Sequence, residues 1–166
     1  MTDYFYENIT VDIQDGIAWT ALNRPEKKNA MSPELHYDMD DAIGRLEMDP
    51  AAKVVVIMGT GGNFSSGQDL KKFFREQEDD AYERKRSQRA ANSWRWDRLY
   101  NYDKPTIAMV EGYCVGGAYG RLLDSESEHL GEATVQAFET EGLIGTGAAP
   151  AVLAYLFHRI EARLDG

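Results

Sequence analysis

The chain of 166 residues is long enough for one domain, and its hydrophobic content of 43% with 11% aromatic residues can fill a packed core. The formal net charge of -10 argues against nucleic acid or an anionic membrane surface as a partner, since both attract Lys and Arg. The single cysteine, Cys114, excludes an internal disulfide and a metal cluster built from cysteines. No signal peptide or membrane-spanning helix is visible in the sequence, so we expect a cytoplasmic protein.

The first predicted elements are a β-hairpin and an amphipathic helix. Two short apolar runs, 8–13 and 17–22, flank Asp15-Gly16, which is a typical hairpin turn. Ser32 can act as an N-cap with Pro33 in the first helical position. The helix is expected to end at Asp49-Pro50, and its apolar stripe consists of Leu35, Met39, Ile43 and Leu46.

Alternating strands and helices are predicted over the following residues. The apolar run 54–58 indicates a strand covered on both faces, and the small residues that come after it lead into a helix that carries Leu70, Phe73 and Phe74. We predict one long helix over 76–101, with Trp94, Leu99 and Tyr102 on its buried side, then a strand at 106–110. Residues 132–139 could form a further short strand, and 151–164 a last helix. This order predicts an α/β fold with parallel strands.

Two strand-loop-helix junctions, at 66–68 and 116–117, contain glycine where backbone N–H groups would be free to bind an anion. Gly117 is the stronger candidate for an oxyanion-hole donor, because a Gly-Gly pair follows a predicted buried strand at the start of a possible helix. Two such donors on one oxygen would stabilise the negative charge that a thioester carbonyl gains when an enolate forms. Ordinary glycine-rich turns are the alternative interpretation of the same spacing.

Three blocks, in the same order as in the family, resemble the crotonase (enoyl-CoA hydratase/isomerase) superfamily. They are Asn-Arg-Pro-Glu-Lys-Lys-Asn-Ala-Met at 23–31, Ser-Gly-Gln-Asp-Leu-Lys at 66–71, and Lys-Pro-Thr-Ile-Ala-Met-Val-Glu-Gly-Tyr-Cys-Val-Gly-Gly-Ala at 104–118. Within that superfamily, the segments 49–52, 74–76 and 93–96 are most similar to the hydroxycinnamoyl-CoA (feruloyl-CoA) hydratase-lyases. The similarity covers residues 5–120, and residues 121–166 are divergent.

The resemblance implies a single crotonase-like domain over 1–166, with an α/β spiral of β-β-α turns that is incomplete at the C-terminus. In that family the thioester oxygen is held by two N–H groups, which match those of Gln68 and Gly117, and the catalytic carboxylate falls on Glu139 with Glu141 as its competitor. The positions that match substrate contacts in the family are Lys27, Ala30, Ser66, Gly67, Asp69, Leu70, Lys71, Phe73 and Ala118. CoA would enter as part of the substrate, with no separate cofactor.

The implied activity is addition of water to a 4-hydroxycinnamoyl thioester, followed by retro-aldol cleavage to an aromatic aldehyde and acetyl-CoA. Phe73 stands where the subgroup has a Tyr that engages the substrate phenol, and Gly120 stands where hydratases have a second Glu. Alternatives are a simple enoyl-CoA hydratase or isomerase, and a catalytically silent truncated protein of this fold. The family forms homo-oligomers, trimers or hexamers, whose contacts involve the C-terminal helices. No metal site is expected, since the three His residues lack ligand spacing.

Overall fold

The structure is a computed structural model that describes residues 3–75, 80–115 and 134–139. Within these ranges five strands form one sheet in the order β1-β2-β3-β4-β5. The first pair is antiparallel and each later pair is parallel. The strands are β1 (Ile9–Gln14), β2 (Ile17–Leu22), β3 (Val54–Gly59), β4 (Thr106–Glu111) and β5 (Thr134–Glu139). The helices are α1 (Pro33–Met48) and α2 (Ala81–Asn92).

The hairpin predicted from Asp15-Gly16 is confirmed by the pairing of β1 with β2, in which Gln14 lies opposite Ile17. Asp15 and Gly16 have φ values of 51° and 82°. A two-residue hairpin turn matches the twist of its strands when both of its residues have positive φ values, as these two have.

Helix α1 begins and ends where the sequence predicts. The Ser32 side chain accepts a hydrogen bond from the Leu35 N–H, and Pro33 occupies the first turn. At the other end the Lys104 ammonium donates to the main-chain oxygens of Leu46 and Asp49, at 2.6 and 2.7 Å. Each of these carbonyls also accepts a main-chain N–H, from Asp49 and Ala52 respectively, so the cation adds a charged donor at the C-terminal end of the helix.

The sheet carries apolar packing on both faces of β3, as the sequence predicts. Val55 and Ile57 belong to the main core, together with the apolar stripe of α1. Val54 and Val56 instead pack with Ile107 of β4 on the opposite face. Alternate residues of one strand point to opposite faces, so a strand whose first four residues are all buried must be covered on both faces.

The helix predicted over 76–101 is confirmed over 81–98, but its predicted start is wrong. Asp80 is not helical, with φ -113° and ψ 89°, and its carboxylate accepts hydrogen bonds from the N–H groups of Tyr82 and Glu83. This N-cap starts α2 at Ala81. The segment Ser93–Arg98 that follows α2 is π-helical, and Trp94 in it is buried as predicted.

The helix predicted to carry Leu70, Phe73 and Phe74 is confirmed over the described residues, where Lys71–Arg75 is π-helical. The strand predicted within 132–139 is confirmed as β5, whereas the helix predicted at 151–164 lies outside the described residues. No helix in the described ranges has the length and apolar character needed to cross a bilayer.

Candidate active site

The predicted site lies where three loops leave the sheet. Parallel strands β2, β3 and β4 have their carboxyl ends at the same edge, and they are followed by the segments 27–31, 65–69 and 113–115. Ligands bind at this edge in open α/β sheets. The three segments are joined by two isolated bridges, Met31 with Gln68 and Ser65 with Cys114. The sequence blocks that carry the resemblance are therefore neighbours in the fold.

The loop 65–69 is held against the segment 27–31 along its main chain. The Ser66 N–H donates to the Lys28 carbonyl at 2.9 Å, and the Met31 N–H donates to the Gly67 carbonyl at 2.8 Å. The Asp69 N–H then donates to the Met31 carbonyl at 2.9 Å. Gly67 has a φ of 89°, which a side chain would strain.

The Gln68 N–H points away from Met31. It belongs to the same trans peptide as the Gly67 carbonyl, so the bond from Met31 to that carbonyl turns the N–H to the opposite side. No acceptor for it exists among the described residues, whereas the neighbouring N–H groups of Ser66, Gly67 and Asp69 are all bonded. A free, directed main-chain donor is what an oxyanion hole needs.

Asn29 fastens the first of these loops to the loop after β3. Its side chain is fully buried, accepts from the Arg24 N–H, and donates to the carbonyls of Thr60 and Asn63 at 2.8 and 2.7 Å. Its φ is 53° and that of Lys28 is 49°, so the chain makes two left-handed steps here. The Lys28 ammonium lies 3.9 Å from the centre of the Tyr113 ring, which links the outer two of the three loops.

Arg24 and Asp69 form an ion pair at 3.1 Å, and both side chains are largely buried. Arg24 also donates to the Ala30 carbonyl. Burial pushes the Asp69 pKa upward, but the Lys72 N–H and the Arg24 guanidinium outweigh it and hold that pKa below its usual range. The charged pair therefore ties Asp69, the residue after Gln68, to Arg24 instead of acting as a free acid.

Behind the loop lies His36 of α1, which is fully buried. Its Nε2 is 2.7 Å from the side-chain oxygen of Gln68, and its Nδ1 accepts from the indole N–H of Trp94 at 3.1 Å. The ring of Phe73 meets the imidazole edge-on, with centroids 5.6 Å apart. Burial lowers the pKa of His36 to about 4, with the hydrogen bond to Gln68 acting against this and the charge of Arg95 adding to it.

His36 is the residue of this arrangement for which no site role is predicted from the sequence. A signal exists, because His36 is spaced three and seven residues before Met39 and Ile43 of the apolar stripe. That spacing predicts a buried imidazole, and a buried imidazole requires partners. Its partners, Gln68 and Trp94, lie 32 and 58 residues away, so the local sequence pattern does not predict them.

The structure places several other predicted contacts at this edge. Lys27 is exposed at the end of the turn Pro25–Lys27, and its carbonyl accepts from the Ser66 hydroxyl. Leu70 is 68% exposed, whereas Phe73 is buried. Their contacts with a substrate stay predictions.

Gly117 and Ala118 lie outside the described residues. Glu139 ends β5, where its Cα is paired with that of Glu111 in β4. Its strand is thus parallel and adjacent to the one that leads to Cys114.

Other chemistry is not indicated in the described part of the chain. No group of three or more His, Cys, Asp or Glu side chains in it could hold a metal ion. Burial raises the pKa of the Cys114 thiol to about 11, so it is protonated at neutral pH. A groove of about 700 Å³ between α1 and α2 is charged and shares no lining residue with the site.

The chain matches the model of the enoyl-CoA hydratase/isomerase family over residues 12–158. The hydroxycinnamoyl-CoA hydratase-lyase of Pseudomonas fluorescens is 46% identical over 119 residues, which are 71% of this chain and 43% of that protein. The (E)-benzylidenesuccinyl-CoA hydratase of Thauera aromatica is 31% identical over 151 residues, 86% of this chain and 56% of that protein.

A crystal structure of an enoyl-CoA hydratase/isomerase from Xanthobacter autotrophicus Py2 has a TM-score of 0.63 at 29% identity and covers 80% of this chain and 46% of that one. This match confirms the fold predicted from the sequence. The chain spans about half the length of the curated relatives it matches.

Proposed function

We propose that this chain, which belongs to the enoyl-CoA hydratase/isomerase family, binds acyl-CoA thioesters and stabilises the enolate formed from them. The observation that carries the proposal is the Gln68 N–H, which is directed away from the Met31 bridge and has no acceptor in the described part of the chain. One such donor contributes ~3 kcal/mol to an oxyanionic transition state.

Gly117 is the second donor in this proposal. Ser65 and Cys114 are paired in a bridge, and Gln68 lies three residues after Ser65 just as Gly117 lies three residues after Cys114. The Ser65 N–H donates to the Tyr113 carbonyl and the Val115 N–H to the Ser65 carbonyl, which is parallel pairing. This register supports an oxyanion hole made from both N–H groups.

The proposed reaction is hydration followed by carbon-carbon cleavage. Water adds to the double bond of an aromatic enoyl thioester, with its oxygen on the β-carbon and a proton on the α-carbon. Removal of the proton from the new hydroxyl then breaks the bond between the α- and β-carbons, releasing the aldehyde, and the acetyl-CoA enolate takes up a proton. Glu139 is the proposed acid and base, with Glu141 as the alternative.

Feruloyl-CoA is the proposed type of substrate, because the relatives of this chain include a hydroxycinnamoyl-CoA hydratase-lyase and an (E)-benzylidenesuccinyl-CoA hydratase. Both names refer to thioesters with an aromatic acyl group. Lys27, Ala30 and the loop 66–71 are proposed to contact CoA, with Ala118 beside the thioester and Phe73 at the acyl end. No separate cofactor is needed for these steps. We further propose a cytoplasmic homo-oligomer.

The test is the release of aldehyde and acetyl-CoA from feruloyl-CoA, run beside cinnamoyl-CoA, which lacks the phenol, and crotonyl-CoA. Aldehyde release from the aromatic thioesters is the expected result. Hydration of crotonyl-CoA alone would identify a simple hydratase, and calorimetry that detects no CoA thioester binding would exclude both activities.

Three Glu→Gln variants assign the proton-transfer group. Glu139→Gln is expected to lower kcat by about 10²- to 10⁴-fold, the usual contribution of general acid-base catalysis. Glu141→Gln tests the competing position, and the exposed Glu7→Gln is a control with the same loss of charge. Unchanged kcat in the first variant with a large loss in the second would move the role to Glu141.

A further inference from the structure

The Gln68 side chain is held from behind by a buried imidazole whose tautomer the structure determines. The Trp94 indole N–H can only donate, so the Nδ1 atom of His36 that receives it must be unprotonated. In a neutral ring the proton is then on Nε2, which donates to the Gln68 side-chain oxygen at 2.7 Å. The Trp94 indole thus determines the tautomer of the His36 imidazole, and the imidazole orients the side-chain amide of Gln68.

The imidazole and the indole of this chain of hydrogen bonds are buried, and the Gln68 side chain is half-buried. His36 has no exposed surface and Trp94 is 5% exposed. The groups that face the imidazole are the rings of Trp94 and Phe73, the Gln68 amide and, as the charged group nearby, Arg95. Hydrogen bonds in such surroundings are stronger than in water, and leaving one of them unmade is costly.

The anchored side chain belongs to the residue that presents the free N–H. The Gln68 peptide is already held on one side by the bond from Met31 to the Gly67 carbonyl. The residue before it is a glycine with a φ of 89°, which offers little resistance to rotation of that peptide. Beyond Gln68 the Asp69 N–H is bonded to the Met31 carbonyl, so both main-chain attachments are to the same residue. The contact with His36 is an attachment of the Gln68 side chain itself, in a different direction, and it limits rotation of the peptide about the line between the two main-chain bonds.

We propose that His36, oriented by Trp94, is a positioning residue that fixes the direction of the Gln68 N–H through the Gln68 side chain. The inference rests on the proposed function, since a donor needs an exact direction only if charge develops in front of it. It assigns His36 no contact with substrate. A displacement of the donor by less than one ångström is expected to weaken transition-state binding more than binding of the substrate.

The test is the steady-state kinetics of aldehyde release from feruloyl-CoA by three variants of the full chain. His36→Phe keeps a ring but removes the donor, Gln68→Met removes the acceptor and retains the main-chain N–H, and His36→Gln keeps an amide donor near the position of Nε2. We expect the first two to lower kcat about tenfold or more with KM changed less than about threefold. His36→Gln is expected to recover most of the loss.

A fourth variant separates positioning from folding. Leu46→Ala removes a fully buried side chain from the same helix at its far end, so it destabilises α1 without touching Gln68. Its kcat at a temperature where it stays folded is expected to equal that of wild type. The double variant His36→Phe/Gln68→Met is expected to lose no more than either single one, because both break the same contact.

The outcomes distinguish this inference from the proposed function. A wild-type chain that converts none of the thioesters overturns the proposed function, and the inference with it. An active wild type whose Gln68→Met variant keeps its kcat overturns the positioning role alone. The same holds if His36→Gln is no better than His36→Phe, or if Leu46→Ala loses as much kcat as the His36 variants.

Discussion

Replacement of Asn29 by alanine measures how firmly the loops of the candidate site are joined. The substitution removes three buried hydrogen bonds, one to the Arg24 N–H and two to the carbonyls of Thr60 and Asn63. At about 1 kcal/mol each these contribute about 3 kcal/mol. Alanine must also adopt the φ of 53° that asparagine tolerates, which costs about 1 kcal/mol more. The free energy of unfolding is therefore expected to fall by about 4 kcal/mol.

Asp15→Ala is the matched control for the backbone part of that loss. Asp15 has nearly the same φ, 51°, but it is exposed in the hairpin turn and makes no side-chain hydrogen bond within the described residues. Urea unfolding followed by tryptophan fluorescence should show a loss of only about 1 kcal/mol for this variant. If Asn29→Ala lost no more than Asp15→Ala, the three hydrogen bonds would not hold the loops together.

Three further predictions concern stability. Burial lowers the pKa of His36 in the folded chain to about 4, below the ordinary value of 6.5, so the unfolded chain takes up a proton first as the pH falls. This group alone should lower the free energy of unfolding by about 2 kcal/mol between pH 7 and pH 5, and the same titration of His36→Gln should lack that part. In urea unfolding, Gly112→Ala should lose several kcal/mol or fail to fold, because its Cβ would lie 2.3 Å from a carbonyl oxygen, whereas Gly62→Ala, with a similar φ and open space, should lose about 1 kcal/mol. Lys104→Met should lose about 2 kcal/mol by the same measurement, since it removes the charged donor from the Leu46 and Asp49 carbonyls, which then keep only their main-chain donors.

The parts of the fold that could be predicted are those whose causes lie within a few residues. Asp15-Gly16 and Ser32-Pro33 each contain the full chemical reason for the turn or helix start that they form. The start of the helix expected over 76–101 is wrong for a related reason: the charged composition favours helix throughout, and the effect of Asp80 depends on its side chain turning back to cap the next residues. Composition does not show whether an aspartate lies within a helix or caps its first turn.

The candidate site shows the same limit. Glycine at 67 marks the loop, but the direction of the Gln68 N–H follows from its bridge with Met31, 37 residues earlier in the chain. The contact between His36 and Trp94 joins α1 to the segment after α2. Only the packing of these elements brings such partners together, so sequence patterns could predict that His36 is buried but not what it holds.

The constraints on the Gln68 peptide converge on one short stretch of chain. Its main chain is bonded to Met31 and its side chain to His36, and the segment between them contains the N-cap Ser32 that starts α1. A change that shifts the start of this helix must therefore move both attachments of the proposed donor together. Asn29, just before the segment, ties the same stretch to the loop after β3. The precision of the proposed oxyanion hole thus depends on the N-terminal end of α1, although the groups proposed for the chemistry are carried by later loops and strands.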